Sequence, residues 1–96
     1  MSDIEPISLD QFEALAGPTV FLYRLIESYR IDDVNGAVIG AVLLDRTDKD
    51  WSWVTLTQLK GLDARFRAVD LQTSCSTIDL ARTQLHIAMT RHARTS

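Results

Sequence analysis

The chain has 96 residues, the length of one small domain, and 46% of them are hydrophobic, as in ordinary globular proteins. The formal net charge of −3 argues against a protein that binds nucleic acid mainly by neutralising phosphates. The longest apolar run, residues 37–44, is far too short to span a bilayer, and the N-terminus lacks the basic and apolar segments of a signal peptide. We therefore expect a cytoplasmic protein with no membrane association.

Charge is distributed unevenly along the chain. Residues 1–50 contain ten acidic and four basic side chains, for a net charge of −6, whereas residues 51–96 contain three acidic and six basic ones, for a net charge of +3. We interpret both sets as solvated surface charge. Head-to-tail association or a local basic patch in the second half is the alternative.

The first predicted element is a short helix over residues 8–16. Ser8 is a candidate N-cap residue, and Phe12 begins an apolar stripe at helical spacing. Gly17–Pro18 ends the helix because glycine suits the C-terminal turn and proline cannot continue it. Residues 1–7 are predicted to be frayed or extended.

The next stretch fits two structures. As a helix, residues 19–29 would have one apolar stripe; as a strand, residues 20–31 are rich in β-branched and aromatic side chains. Asn35 and Gly36 then form the strongest short hairpin signal, because both residues tolerate positive φ. A hairpin requires a strand on each side, so the sequence favours a strand over residues 20–31.

A hairpin at the centre of the chain organises the prediction. Residues 37–44 and 51–57 have strand composition and flank the acidic tip 45–50, and residues 65–72 form a further predicted strand. The tip lacks the ligand spacing of an EF-hand, so we interpret it as a solvated turn rather than a metal site. The result is a four-stranded antiparallel meander.

A C-terminal helix is predicted over residues 77–92. Ser76 and Asp79 resemble a capping box at its start, and residues 93–96 are predicted to fray. The fold class is therefore α+β, with this helix on one face of the sheet. The apolar stripe of the helix consists of Ile78, Ala81, Leu85, Ala88 and Met89.

Alternation along the strands divides the sheet into two faces. We predict that the C-terminal helix covers the aliphatic one. The aliphatic face consists of Ile39, Ala41, Leu43, Val54, Leu56, Val69 and Leu71. The aromatic face consists of Phe21, Tyr23, Leu25, Tyr29, Val38, Val42, Leu44, Trp51, Trp53, Thr55, Thr57 and Phe66.

Residues that could perform catalysis or bind metal are few. His86 and His92 are six positions apart and point to different sides of a helix, and Cys75 is the only cysteine, so no zinc spacing exists. We interpret Cys75 as a buried structural residue and His86 as a surface or boundary residue. Glu27, on the aromatic face, would have a perturbed pKa if buried, although an edge position with solvent access is the simpler interpretation. We expect no enzymatic activity, cofactor or metal.

The stretch LLDRTDKDWSWVTL, followed by FRAVDLQTS and a helix rich in alanine and leucine, resembles small uncharacterised bacterial proteins. The shared pattern is LxDxTDxDW, then V, FRAxD and S, over roughly residues 36–90. This resemblance implies a bacterial origin and attaches no activity to the chain.

One amphipathic helix covers only one face of the sheet, so the aromatic face needs another partner. We predict a homodimer or a protein partner on this face, with an interface of Tyr23, Tyr29, Trp51, Trp53 and Phe66. A monomer in which the N-terminal helix covers the face is the alternative. Two other hypotheses are a nucleic-acid-binding module that stacks bases on the aromatic face, which the net charge disfavours, and a small enzyme or ligand carrier.

Overall fold

A computed structural model describes residues 4–16, 23–33, 36–45, 50–58 and 66–95. Five antiparallel strands form one sheet in the order β1-β2-β3-β4-β5, with helix α2 packed on it, which confirms the α+β class and adds one strand to the four predicted. The elements are β1 (Glu5–Ile7), α1 (Leu9–Ala16), β2 (Tyr23–Asp33), β3 (Gly36–Asp45), β4 (Trp51–Gln58), β5 (Phe66–Cys75) and α2 (Ile78–Thr95).

Strand β1 is the element that the sequence did not predict as a strand. It pairs with Ser28–Arg30 of β2, and the buried Ser28 hydroxyl donates a hydrogen bond to the carbonyl oxygen of Ile7 at 2.8 Å. Three residues that include Pro6 carry no alternating pattern, so only the contact with β2 defines this strand. At the other end, α2 continues to Thr95, beyond its predicted end.

The ambiguous stretch is a strand within the part of it that is described. Strand β2 begins at Tyr23, and its ladder with β3 ends where Asp33 pairs with Gly36, so the two strands are neighbours as predicted, but Gly36 belongs to β3 rather than to the predicted Asn-Gly turn. The helical alternative for this segment is therefore wrong. Residues 20–22, the turn residues 34–35 and the tip residues 46–49 lie outside the described part of the chain.

Both helices begin at a hydroxyl cap. The Ser8 hydroxyl oxygen accepts a hydrogen bond from the Gln11 amide at 3.1 Å, which confirms Ser8 as the N-cap of α1. At α2 the Thr77 hydroxyl oxygen accepts from the Leu80 amide at 3.1 Å. The predicted cap at Ser76 is therefore one residue too early.

The prediction that α2 covers the aliphatic face is wrong, since α2 packs on the aromatic face and the shorter α1 packs on the aliphatic face. Gly40 lies on the aromatic face between Tyr29 and Thr55 of the neighbouring strands and leaves a hollow there. A Cβ atom at Gly40 would lie 2.6 Å from a methyl carbon of Leu85, so the glycine permits this close approach of the helix.

Each face has its own apolar cluster. The cluster under α1 is Phe12, Ala16, Ala37, Ile39, Ala41, Leu43, Val54, Leu56 and Phe66. The cluster under α2 is Ile31, Val38, Val42, Trp53, Cys75, Ala81, Leu85, Ala88 and Met89. The alternation of side chains along β3 and β4 therefore assigned their residues to the correct faces of the sheet. The wrong part of the prediction was which helix covers which face.

Bulges moved two residues to the face opposite the predicted one. The register between β2 and β3 shifts after Leu25, and that between β4 and β5 shifts between Thr55 and Leu56. One extra residue on a strand reverses the side on which every later side chain lies. Leu25 and Phe66 consequently pack in the cluster under α1 rather than on the aromatic face.

Candidate functional site

Polar side chains meet where α2 crosses β2, in a group that we call the polar seam: Glu27, Tyr29, Arg82 and His86. Glu27 and Tyr29 are two residues apart on β2 and face α2, while Arg82 and His86 are one helical turn apart on α2. The Arg82 guanidinium donates two hydrogen bonds to the Glu27 carboxylate, each 2.8 Å long. This paired geometry is the strongest form of arginine–carboxylate contact.

The ion pair determines the charges of the seam. Hydrogen bonds from Arg82 hold the pKa of Glu27 below its usual value, against the opposing effect of burial. The Arg82 pKa is raised by the same contact. Burial, and then the neighbouring Glu27 carboxylate, raise the pKa of the Tyr29 hydroxyl. At neutral pH the seam therefore contains one anion, one cation and a protonated phenol.

His86 has a different environment from the pair beside it. Its ring contacts Tyr29 edge to face, with the two centroids 4.7 Å apart at an interplanar angle of 84°. Its Nε2 atom is buried and has no hydrogen-bond partner among the described residues. Burial, followed by the positive charge of Arg82, lowers the pKa of His86, and Glu27 opposes this shift in part. The imidazole is therefore neutral at pH 7.

Gln84 connects α2 to the centre of the sheet. Its side-chain carbonyl oxygen accepts a hydrogen bond from the Trp53 indole N–H at 3.1 Å and a weaker one from the Cys75 thiol at 3.7 Å. Cys75 is buried, and burial raises the pKa of its thiol. The prediction that Cys75 is buried is confirmed.

The predicted interface residues do not form one free surface. Trp53 is only 8% exposed beneath α2, and Phe66 is 9% exposed on the opposite face beneath α1. Trp51 and Tyr29 are half-buried and pack against the cluster under α2, and only the backbone of Tyr23 is described. The aromatic face is thus covered within the chain by α2, a covering that the sequence interpretation did not consider.

A further polar contact joins α2 to β5. His92 Nε2 is in hydrogen-bond contact with the Asp70 carboxylate of β5. Within the described ranges, no three His, Cys, Asp or Glu side chains are close enough together to hold a metal ion. No helix in the described part of the chain is long and apolar enough to cross a membrane.

The outer edge of the sheet at β5 is the second candidate site. Among the described residues β5 pairs only with β4, and residues 71–74 are all exposed. Val69 is 43% exposed and Leu71 is 54% exposed. These two residues were predicted to lie under a helix, but α1 is too short to reach across the sheet to β5 along its whole length.

Comparisons of the chain with protein-family models, with curated proteins and with solved structures found no match. The two candidate sites are therefore judged on their geometry. The side chains of the polar seam satisfy one another's charges and hydrogen bonds, with the exception of His86. The β5 edge consists of exposed backbone groups and exposed apolar side chains.

Proposed function

We propose that this chain is a non-enzymatic protein-binding module that forms a homodimer through the outer edge of β5. The observation that carries the proposal is a ten-residue strand, Phe66–Cys75, that pairs on one side only among the described residues. Edge strands present free N–H and C=O groups to any further strand, and monomeric proteins often protect them with proline, lysine or short length. Strand β5 contains neither proline nor lysine.

The opposite edge offers less to a partner. There β1 has only three residues, and its Pro6 lacks a backbone donor. At β5, by contrast, the exposed Val69 and Leu71 add apolar area beside the exposed backbone. Pairing of one strand edge with another gains main-chain hydrogen bonds, and side chains on alternate positions provide selectivity.

The sequence of β5 favours one register with a second copy. Around a two-fold axis, residues equally distant from the axis face each other. An axis at Asp70 would place two carboxylates directly opposite, which is destabilising. An axis at Leu71 places two leucines opposite each other and Asp70 opposite Gln72. Leu71 also lies between the two bulges of β5, where the ladder with β4 is regular.

The polar seam supports a role without catalysis. Glu27 and Arg82 neutralise each other, so neither is free to act as an acid, a base or an anion-binding group. The Cys75 thiol is buried and its raised pKa disfavours the reactive thiolate. Glu27 and Arg82 are thus engaged in holding α2 on the sheet, and the Cys75 thiol contacts Gln84 of the same helix.

Sedimentation equilibrium at tens of micromolar protein tests the proposal. We expect wild type at twice the chain mass of 10.8 kDa, and Leu71→Lys at the monomer mass. Ile87→Lys is the matched control because Ile87 on α2 is 55% exposed, about the same as Leu71 at 54%, and lies away from β5. A monomeric wild type would reject self-association, and a dimeric Leu71→Lys variant that folds normally by circular dichroism would reject the β5 edge as its interface.

A further inference from the structure

His86 differs from every other member of the polar seam because it lacks a polar partner. Its Nε2 atom is buried without a hydrogen bond, and its ring contacts the Tyr29 ring in an edge-to-face arrangement. Arg82, one turn earlier on the same helix, brings a positive charge close to it. The site is thus arranged for a neutral imidazole and against an imidazolium ion.

The charged groups around His86 are already engaged with other partners. Both Glu27 oxygens already accept from Arg82, which also donates to Asp79 at 3.2 Å. Strands β3 and β4 present apolar side chains, Gly40 and Thr55 to α2, and the Asp70 carboxylate of β5 contacts His92 instead. A second proton placed on the Nε2 atom of His86 would therefore be an unpaired donor at a buried position beside an existing cation, which is costly.

We infer that His86 is a pH-sensitive latch that holds the first half of α2 on β2 while its imidazole is neutral and releases it when the imidazole is protonated. Release would carry Arg82 away from Glu27, and it would break the contact of Gln84 with Trp53, because Gln84 lies between Arg82 and His86 on the helix. The surface exposed in this way is the aromatic face. The open form would thus present an apolar surface, and its population would rise as the pH falls.

The linkage between proton binding by His86 and the opening of α2 gives the direction of the pH dependence. The folded-state pKa of His86 is lowered, so the opened form binds a proton more readily than the closed form. Opening is therefore favoured as the pH falls below the ordinary histidine value of 6.5. If the closed form does not protonate at all, the opening equilibrium rises about tenfold between about pH 7.5 and 5.5.

The Trp53 indole N–H reports the opening directly, since it is the donor to Gln84. Its hydrogen exchange is measured by NMR at these two pH values and corrected for the intrinsic pH dependence of exchange, with Trp51→Phe used to assign the signal. We expect protection in wild type to fall several-fold, up to about tenfold, on acidification. In His86→Phe, which retains a ring against Tyr29 but cannot titrate, we expect no change.

The second histidine of α2 provides the control. His92→Gln removes the other imidazole of the helix and should leave the loss of protection as in wild type. An equal loss of Trp53 indole protection in His86→Phe, or no loss of protection in wild type, would overturn the inference. If His86→Phe does not fold, the C2–H resonance of His86 in wild type decides: titration at or above the ordinary histidine value would also reject the latch.

Discussion

The two faces of the sheet are covered in contrasting ways. On one face, α1 has eight residues and packs through an apolar cluster in which Phe12 is fully buried. On the other face, α2 has eighteen residues and combines a buried apolar stripe with the ion pair to Glu27 and the hydrogen bond to Trp53. Aliphatic burial places a helix on a surface, whereas directional polar contacts fix its position along that surface.

Surface shape explains why the longer helix covers the aromatic face. This face has large side chains, among them Trp53 and Tyr29, on either side of a hollow at Gly40. Leu85 and Met89 of α2 fill that hollow. Small residues in the same stripe, such as Ala81, allow the helix backbone to approach. On the aliphatic face, the Phe12 ring of the short helix is fully buried in one cluster with Ile39 and Ala41.

The largest effect is expected from removing the largest buried side chain of α1. Phe12→Ala should destabilise the protein by about 3–5 kcal/mol, because it deletes a fully buried ring on which the short helix depends. Glu13→Ala, an exposed neighbour on the same helix, should change the free energy of unfolding by no more than about 0.5 kcal/mol. Urea unfolding measures both, and a cost below 1 kcal/mol (roughly a third of the least expected) for Phe12→Ala would show that α1 is not essential to its face.

The α2 face should tolerate the loss of one apolar group somewhat better. Leu85→Ala should destabilise by about 2–5 kcal/mol, since Leu85 is fully buried in the hollow at Gly40. Ile87→Ala, two residues further along the same helix on its exposed side, should stay within about 0.5 kcal/mol. Equal costs for the two substitutions in chemical denaturation would mean that α2 packs with a different face than the one described.

The hollow itself is tested by filling it. Gly40→Ala should cost about 1–3 kcal/mol, because the new methyl group would overlap Leu85 and Met89. In a Leu85→Ala background the same change should cost less, since one of the overlapping side chains is gone. A double-mutant cycle measures the difference, and strict additivity of the two changes would contradict the close approach of α2 at Gly40.

The elements were predictable because their signals are local. The Ser8 cap and the alternation along β3 and β4 depend on residues close together in the chain, and all are found as expected. Strand β1, by contrast, has three residues and exists only through its contact with β2. The bulge near Thr55, which moves Phe66 to the other face, also leaves no mark in the sequence.

The candidate site was less predictable because it depends on which helix meets which face. Glu27 was correctly placed on the aromatic face, but α2 was assigned to the other one, so its partner Arg82 was missed. The available signal was the spacing of Arg82 and His86, four residues apart beside the apolar stripe of α2. Gly40 among the apolar residues of β3 was the corresponding signal for a close helix approach.

The smallest expected effect concerns the ion pair of the polar seam. Because its folded-state pKa is lowered, Glu27 contributes stability that is present above the usual carboxyl value of 4.5 and is lost as the pH falls through the folded pKa. Glu27→Gln removes this contribution, so its unfolding free energy should lie below that of wild type at pH 7, and the gap should narrow below about pH 4.5. Both side chains are partly exposed, so solvent screens the pair and the gap should be modest. Urea unfolding midpoints of wild type and Glu27→Gln across this pH range measure the gap in unfolding free energy. When Glu27→Gln is introduced in an Arg82→Gln background, the gap should be smaller and depend less on pH. A gap that widens on acidification, or that is unchanged without Arg82, would show that Glu27 stabilises the fold through some contact other than the one that fixes α2 on β2.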